Sequence, residues 1–245
     1  MNILEIEHAA FMSCPAEHET TKKGMVLRSN GGYTKRANSA NVLVDCDNNE
    51  DQLVRIGESY FGDRGQKKIF RMLSTFNHGK MDLELENKGY ELIETTNVLI
   101  QRLGKTEDKC LAIENVPISD WIGNFYLVSE DEDSHQNEHL QMLQYVQSKL
   151  FAAVLRDSQG EIVSMGLGTI EKGYFGIFNI VTAKAYQRLG YSHTLISDLL
   201  SWAKSLNAHT AYVQVRQANY PGLGLYEKLG YTDGYHYWYR VKVEG

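Results

Sequence analysis

Cysteine is scarce in this chain, and the little there is narrows its class. Cys14, Cys46 and Cys110 are odd in number and far apart, a pattern of reduced thiols rather than of a disulfide framework or a zinc site. No apolar run approaches the roughly 20 residues of a membrane-spanning helix. The opening Met1-Asn2-Ile3-Leu4-Glu5-Ile6-Glu7 also lacks the positive region of a secretory leader, so cytoplasmic residence without a membrane partner is expected. Basic residues are in deficit: 25 Lys and Arg against 31 Asp and Glu leave a net charge of −6. The clustered cations that nucleic acid requires are missing, and the balance favours a neutral or cationic acceptor. At 245 residues, with 42% hydrophobic and 23% charged residues, the chain is globular, with one large or two small domains.

The chemistry gathers in the last 65 or so residues. Tyr174 to Thr182 is aromatic, β-branched and almost free of charge, so it reads as a buried strand. From Ser192 to Leu206 the apolar residues Leu195, Ile196, Leu199, Leu200, Ala203 and Leu206 recur at helical spacing and predict a helix opening near Ser192. The first N–H groups of a helix have no internal partner and its dipole makes that end positive, so an anion such as phosphate is favoured there. Across the opening lies Gln187-Arg188-Leu189-Gly190-Tyr191-Ser192, in which Arg188 brings charge and Gly190 permits a tight turn close to a ligand. Alternation predicts a further strand over Ala211–Arg216. Asn219-Tyr220-Pro221 opens a short helix that Gly230 ends.

These residues resemble the GNAT superfamily of N-acetyltransferases. Its pyrophosphate loop, Gln/Arg-x-x-Gly-x-Gly/Ala, is matched by Gln187-x-x-Gly190-x-Ser192, with Ser, small and a good N-cap, at the last position. Its later Asn and its Leu-Tyr-Glu-Lys-Leu-Gly-Phe string are matched by Asn219 and Leu225-Tyr226-Glu227-Lys228-Leu229-Gly230-Tyr231. The resemblance implies a tandem α/β fold built on mixed (α+β) sheet, with acetyl-CoA as co-substrate. The implied cofactor-binding residues are Ile180, Val181 and Thr182 on the strand, Gln187, Arg188, Leu189, Gly190, Tyr191, Ser192 and His193 at the loop and helix opening, and Asn219 and Tyr226 beyond. A core tyrosine on a helix face is the alternative reading of Tyr226.

The resemblance further implies direct attack of a primary amine on the thioester, with no covalent enzyme intermediate. A backbone N–H on the strand, with Val181 the candidate, would meet the oxyanion. Tyr226 would be the catalytic acid for the departing thiolate, since a phenol near about 10 can protonate a thiol near about 8.5. The strand itself carries no acid. Glu171 just before it and His236 beyond are the candidate bases, although a solvated charge is the commoner role for such a Glu. The acceptor is expected to be a small-molecule or peptide amine. A non-catalytic CoA or acyl-CoA sensor or interaction module is the other class that the missing strand acid leaves open.

Residues 1–104 read as a degenerate GNAT-like domain and 105–245 as the catalytic one, with the polar stretch Gly104–Lys109 between them. In the first half, strands are expected over Lys23–Ser29, Arg36–Val44, Lys68–Ser74 and Tyr90–Arg102. Helices are expected over Glu50–Phe61 and Met81–Lys88. Helix, strand, short helix, Gly-Tyr, strand is also the order of residues 192 to 240. Setting Gly89 against Gly230 puts Leu85 opposite Tyr226, so the chain reads as a tandem repeat whose first copy has lost the chemistry. Ser13-Cys14-Pro15-Ala16, Gly24-Met25-Val26-Leu27-Arg28 and Gly32-Tyr33-Thr34-Lys35-Arg36-Ala37-Asn38-Ser39 resemble motifs of two-part GNAT proteins, except that Cys14 and Met25 stand where those have Trp. A monomer with an internal pseudo-dimer is the implied state. Thr34, Arg36, Asn38 and Ser39 either line an acceptor cleft or hold a hydrogen-bonded turn.

In the second half, a strand is expected over Leu111–Val116, helices near Ile118–Ser129 and Glu138–Ser148, and a hairpin over Phe151–Arg156 and Ile162–Ile170. Between those helices, Glu130 to His139 is rich in acids, with His135 and His139 four apart. No third ligand accompanies them, so a solvated loop and no metal site are expected. Tyr235, Tyr237 and Tyr239 alternate with His236, Trp238 and Arg240 on a last strand.

Overall fold

The computed structural model describes residues 2–46, 49–104, 111–130 and 135–243. Residues 105–110, which hold Cys110 and most of the expected boundary, lie outside that set, as do residues 131–134 of the acidic stretch. In chain order the helices are α1 (Ile3–Ser13), α2 (Glu50–Gly62), α3 (Gly79–Asn87), α4 (Ile118–Ser129), α5 (Gln136–Gln144), α6 (Tyr191–Ser205) and α7 (Tyr220–Lys228). The strands are β1 (His18–Lys22), β2 (Met25–Ser29), β3 (Ala40–Val42), β4 (Ile69–Leu73), β5 (Tyr90–Arg102) and β6 (Ile113–Asn115), then β7 (Lys149–Arg156), β8 (Ile162–Glu171), β9 (Tyr174–Thr182), β10 (Thr210–Arg216) and β11 (Thr232–Lys242). The fold is mixed α/β. No helix among the described residues is long and apolar enough to cross a membrane.

The chain forms two compact units that interleave along the sequence. One comprises Met1–Pro15, Leu99–Gln214 and Pro221–Thr232; the other comprises Ala16–Val98, Val215–Tyr220 and Asp233–Gly245. The first 15 residues therefore fold with the unit that holds most of the second half.

In the first unit, β6, β7, β8 and β9 follow one another as antiparallel neighbours, and β10 joins β9 in parallel. Asp157 makes the β7–β8 turn by accepting from the Gln159 and Glu161 N–H groups at 2.9 and 3.0 Å, the side chain standing in for a backbone turn bond. The strands are buried because helices cover them. From α6 come Leu195, Ile196, Leu199, Leu200 and Ala203, all buried at helical spacing. Helix α1 adds Ile6, Ala9 and Ala10, and its last residue, Ser13, shares hydrogen bonds with Thr169 of β8 at 2.6 Å and Tyr212 of β10 at 3.3 Å. Trp121 of α4 is wholly buried and donates to the Ala153 carbonyl of β7 at 3.2 Å.

In the second unit the strand order is β1-β2-β3-β4-β11, antiparallel except for the parallel β3–β4 pair. Leu53, Val54 and Phe61 of α2 pack with Met25, Leu27, Phe70, Met72, Leu85 and Tyr90 in one core. On β11, Tyr235, Tyr237 and Tyr239 are buried, while His236 is exposed. Arg240 pairs with Asp82 of α3 at 2.6 Å, and Trp238 donates to the same carboxylate at 2.7 Å. Burial pushes the Asp82 carboxyl up, but the hydrogen bonds from Arg240 and Trp238 reverse that and hold it below the usual carboxylate range.

The single strand expected over Arg36–Val44 is instead a short 3-10 turn at Lys35–Ala37 followed by β3. Asn38 explains the difference. Its Oδ1 accepts from the Asn30 and Gly32 N–H groups at 2.7 and 3.3 Å, and its Nδ2 donates to the Asn30 and Thr34 carbonyls at 2.9 and 2.8 Å. These bonds satisfy loop backbone groups that a strand would have paired. Thr34 caps the turn by accepting from the Arg36 N–H at 3.4 Å, and the Arg36 carbonyl accepts from Arg28 at 2.7 Å. Ser39 is wholly buried, and its carbonyl accepts from Asn41 Nδ2 at 3.0 Å. All four of these residues are thus engaged in holding this turn.

Candidate active site

The site in the first unit begins where β9 loses its partner. The parallel ladder with β10 runs from Tyr174↔Thr210 to Ile177↔Val213 and stops. On its other side, β9 passes from Leu167↔Phe178 to Met165↔Val181, so Asn179 and Ile180 together oppose the single residue Gly166. That is a β-bulge, which bends a strand and leaves the extra residue unpaired. Asn179 sits at φ +50°, a left-handed conformation that Asn tolerates better than most residues. From Phe178 to Thr182, β9 therefore presents an edge of backbone groups toward the side where its ladder with β10 has stopped.

That edge is tied to the helix that follows it. Thr182 Oγ1 shares hydrogen bonds with Ser164 Oγ of β8 at 2.9 Å and with Ser192 Oγ of α6 at 2.7 Å. Gln187 Nε2 donates to the Thr182 carbonyl at 3.3 Å. Arg188 at φ +65° and Gly190 at φ +90° turn the chain into α6. Ser192 is not the cap that the sequence suggests. The helix starts one residue earlier, at Tyr191, with Gly190 as N-cap and no side-chain cap bond. At φ +90° Gly is the residue that fits, and the Ser192 hydroxyl is committed to Thr182 instead. Tyr191, Ser192 and His193 thus open a helix whose first N–H groups lack internal partners. Arg188, Leu189 and His193 are exposed around it, and a Cβ on Gly190 would meet nothing within 4 Å. The geometry accepts an anion.

Tyr226 lies on α7, whose end explains the Leu-Tyr-Glu-Lys-Leu-Gly-Tyr string. Gly230, at φ +86°, donates to the Glu227 carbonyl at 2.9 Å, and Tyr231 N–H reaches back to the Tyr226 carbonyl at 3.0 Å. This pair of bonds is a Schellman cap, which places the side chains of Tyr226 and Tyr231 in contact. Burial pushes the Tyr226 phenol well above its ordinary value, which makes it a weaker acid than a free phenol. In the second unit α3 ends alike, with Gly89 at φ +78° donating to the Glu86 carbonyl at 2.8 Å. There the buried pair is Leu85 and Tyr90.

Three sequence candidates stand elsewhere. Glu171 pairs with Tyr174 at the opposite end of β9, on the order of 20 Å from Val181 at about 3.3 Å per strand residue, and accepts from Ser148 at 2.9 Å. That distance removes it as a base for chemistry at Val181. Asn219 and His236 both belong to the second unit. Asn219 follows β10 in the turn where its N–H donates to the Arg216 carbonyl at 2.9 Å, and His236 is on the exposed face of β11, its ring 6.0 Å from that of Trp238.

Sequence reasoning missed the neighbours of the bulge. His139, expected in a solvated loop, is wholly buried on α5, with its Nε2 2.8 Å from Asn179 Nδ2. Only the helical spacing of His139, Met142 and Leu143, all buried, signalled an inward face. No group of three or more His, Cys, Asp or Glu side chains suited to a metal ion occurs among the described residues.

Residues 1–240 match the family described as "Probable histone acetyltransferase Rv0428c C-terminal". The chain is 25% identical over 248 residues to the uncharacterised N-acetyltransferase YobR of Bacillus subtilis strain 168, covering 98% of this chain and 99% of the relative. Among solved structures, a GCN5-related N-acetyltransferase from Kribbella flavida superposes with a TM-score of 0.71 at 13% identity, over 98% of this chain and 95% of the other. A tandem GNAT protein from the clavulanic acid biosynthesis pathway superposes with a TM-score of 0.60 at 10% identity, over 98% and 88%. The match over residues 1–240 places this chain in the Rv0428c C-terminal family, within the GNAT superfamily of N-acetyltransferases.

Proposed function

We propose that this chain transfers the acetyl group of acetyl-CoA to a primary amine, and that the first unit carries the reaction. The observation that carries the reading is the open edge of β9 from Phe178 to Thr182, continuing through Gly190 into the uncapped start of α6. An unpaired strand edge suits a ligand bearing amides, and the pantetheine arm of CoA has two. The N–H groups of Tyr191, Ser192 and His193, with Arg188 beside them, suit its pyrophosphate. The two features occur in the order in which one extended ligand would meet them.

The residues then divide the reaction among them. Ile180, Val181 and Thr182 offer strand N–H groups, and a donor already fixed by the strand stabilises the oxyanion without reorganising at the moment of reaction. Val181 is the candidate for that donor. Tyr226 supplies a proton to the departing thiolate in this reading. The acceptor is a small-molecule or peptide amine, taken without nucleic acid or membrane. The cytoplasm, where acetyl-CoA is available, is the compartment that suits the reaction, and 1–104 is a degenerate counterpart of 105–245 in a monomer.

A second reading rests on the absence of any carboxylate on β9: a CoA or acyl-CoA sensor that uses the same cradle without turnover. Two measurements separate them. Acetyl-CoA raises the melting temperature by mass action in either case, whereas amine-dependent release of free thiol occurs only in the enzyme. No thermal shift at saturating acetyl-CoA contradicts both readings.

A further inference from the structure

His139 is a polar ring in a place where an apolar one would be easier to bury. It is wholly buried on α5, and its ring lies 6.3 Å from that of Trp121, 5.8 Å from Phe125 and 6.0 Å from Tyr126, each edge-on. Burying such a group is unfavourable unless its polar atoms are bonded. Its Nδ1 lies 3.4 Å from Tyr126 Oη, and its Nε2 lies 2.8 Å from Asn179 Nδ2. With the Asn179 amide as donor, Nε2 is the bare nitrogen and the ring proton sits on Nδ1.

Asn179 in turn needs something to hold it. A non-glycine residue in the left-handed region persists where its surroundings over-determine it. The hydrogen bond to a ring fixed on three sides by aromatic side chains is such a surrounding. Ile180 follows it directly on the open edge, so the conformation of Asn179 sets the course of that edge beyond the bulge.

We propose that His139 is a positioning residue for acetyl transfer: it clamps Asn179 in the bulge conformation and thereby aims the open backbone edge that follows, from Ile180 on, at the thioester. The proposal rests on the reading of the first unit as the transferase. It makes a prediction that a merely space-filling histidine does not. Glycine adopts φ +50° without help, so an Asn179→Gly protein has no need of the clamp.

The test is a double-mutant cycle on kcat at saturating acetyl-CoA, with His139→Leu, Asn179→Gly and the pair together. His139→Leu is expected to lower kcat about 10- to 100-fold, the scale on which small misplacements of catalytic donors act. The KM for acetyl-CoA changes less than kcat, because the α6 opening that takes the pyrophosphate is untouched. In the Asn179→Gly background the same substitution is expected to cost less than about twofold, and His139→Gln, which keeps an acceptor, to recover much of the activity. An equal loss in both backgrounds overturns the clamp. The thermal shift with acetyl-CoA reports whether each variant is folded, and His139→Gln carries the test if His139→Leu is not.

Amide hydrogen exchange over residues 178–182 reads the clamp without turnover. Faster exchange in His139→Leu, slowed again in His139→Gln, supports it, and unchanged exchange in His139→Leu overturns it. Wild-type protein that releases no thiol with any amine overturns the transferase reading itself, and with it the catalytic purpose of the clamp.

Discussion

The ring of Tyr226 meets the ring of Tyr231 edge-on, with centroids 5.3 Å apart and planes at 76°, across the left-handed turn at Gly230. The contact joins the third residue from the end of α7 to the third residue beyond it, as a Schellman cap requires. A motif that reads as a family signature is thus also a device that fixes a phenol. Its backbone bonds set where α7 ends, and its ring contact sets the direction of the Tyr226 side chain.

Tyr226→Phe deletes the hydroxyl and leaves this ring contact in place. The expected result is a fall in kcat of about 10² to 10⁴, with the KM for acetyl-CoA and the thermal shift preserved. Steady-state kinetics with any accepted amine checks it. An unchanged kcat would make Tyr226 a core tyrosine and leave water to protonate the thiolate.

Leu85 of α3, which falls opposite Tyr226 when Gly89 is set against Gly230 in the sequence, is wholly buried in the core of the second unit. Leu85→Ala is expected to lower stability by about 2–5 kcal/mol through the cavity it leaves. Denaturant unfolding measures the loss. Kcat on the protein that remains folded should not change.

Gly190→Val tests the cradle. Its Cβ would meet open space, but φ +90° is a strained conformation for a β-branched residue. The turn into α6 should shift, with a rise in the KM for acetyl-CoA of about tenfold or more and a smaller effect on kcat. Arg188→Ala should raise the same KM and weaken its dependence on salt, since it removes an exposed charge from an anion site. Titration with acetyl-CoA at two ionic strengths measures both.

His78, nearly fully buried, has its imidazole pushed down to about 4 by burial, which outweighs the opposing fields of Asp45 and Asp82. Between about 4 and its ordinary 6.5 the unfolded chain therefore binds a proton that the folded chain refuses. Stability from this group is complete above about 6.5 and is lost as pH falls toward 4, by on the order of 3 kcal/mol. Asp82, held below the usual carboxylate range, extends the loss to still lower pH. Urea unfolding at a series of pH values should show this slope, and His78→Gln should flatten it between 6.5 and 4.

How far the sequence reveals this molecule follows from which forces are local. The β9 strand is legible because its apolar run is continuous, α6 because its inward face repeats every three or four residues, and the end of α7 because Gly230 and Tyr231 complete a cap. The bulge is not legible, since it lies in the register of β9 against β8 and in the contact of Asn179 with His139, 40 residues away in the chain. His139 is hidden for a similar reason: its acid-rich flank suggests solvent, while Trp121, Phe125 and Tyr126 bury it. Ser192 misleads because its side chain suits a cap, yet Thr182 claims its hydroxyl and Gly190 takes the position. Helix α1 escapes because its role depends on Thr169 and Tyr212, more than 150 residues away.

The central claim is that the β9 edge and the α6 opening hold acetyl-CoA for transfer to an amine. The measurement that tests it most directly is free-thiol release from acetyl-CoA across a panel of small-molecule amines and peptides, with mass spectrometry of each acceptor. The account predicts thiol release that depends on both an amine and Tyr226, matched by one acetyl group on the acceptor. Acetyl-CoA that binds yet yields neither thiol nor acetylated product with any amine would contradict it.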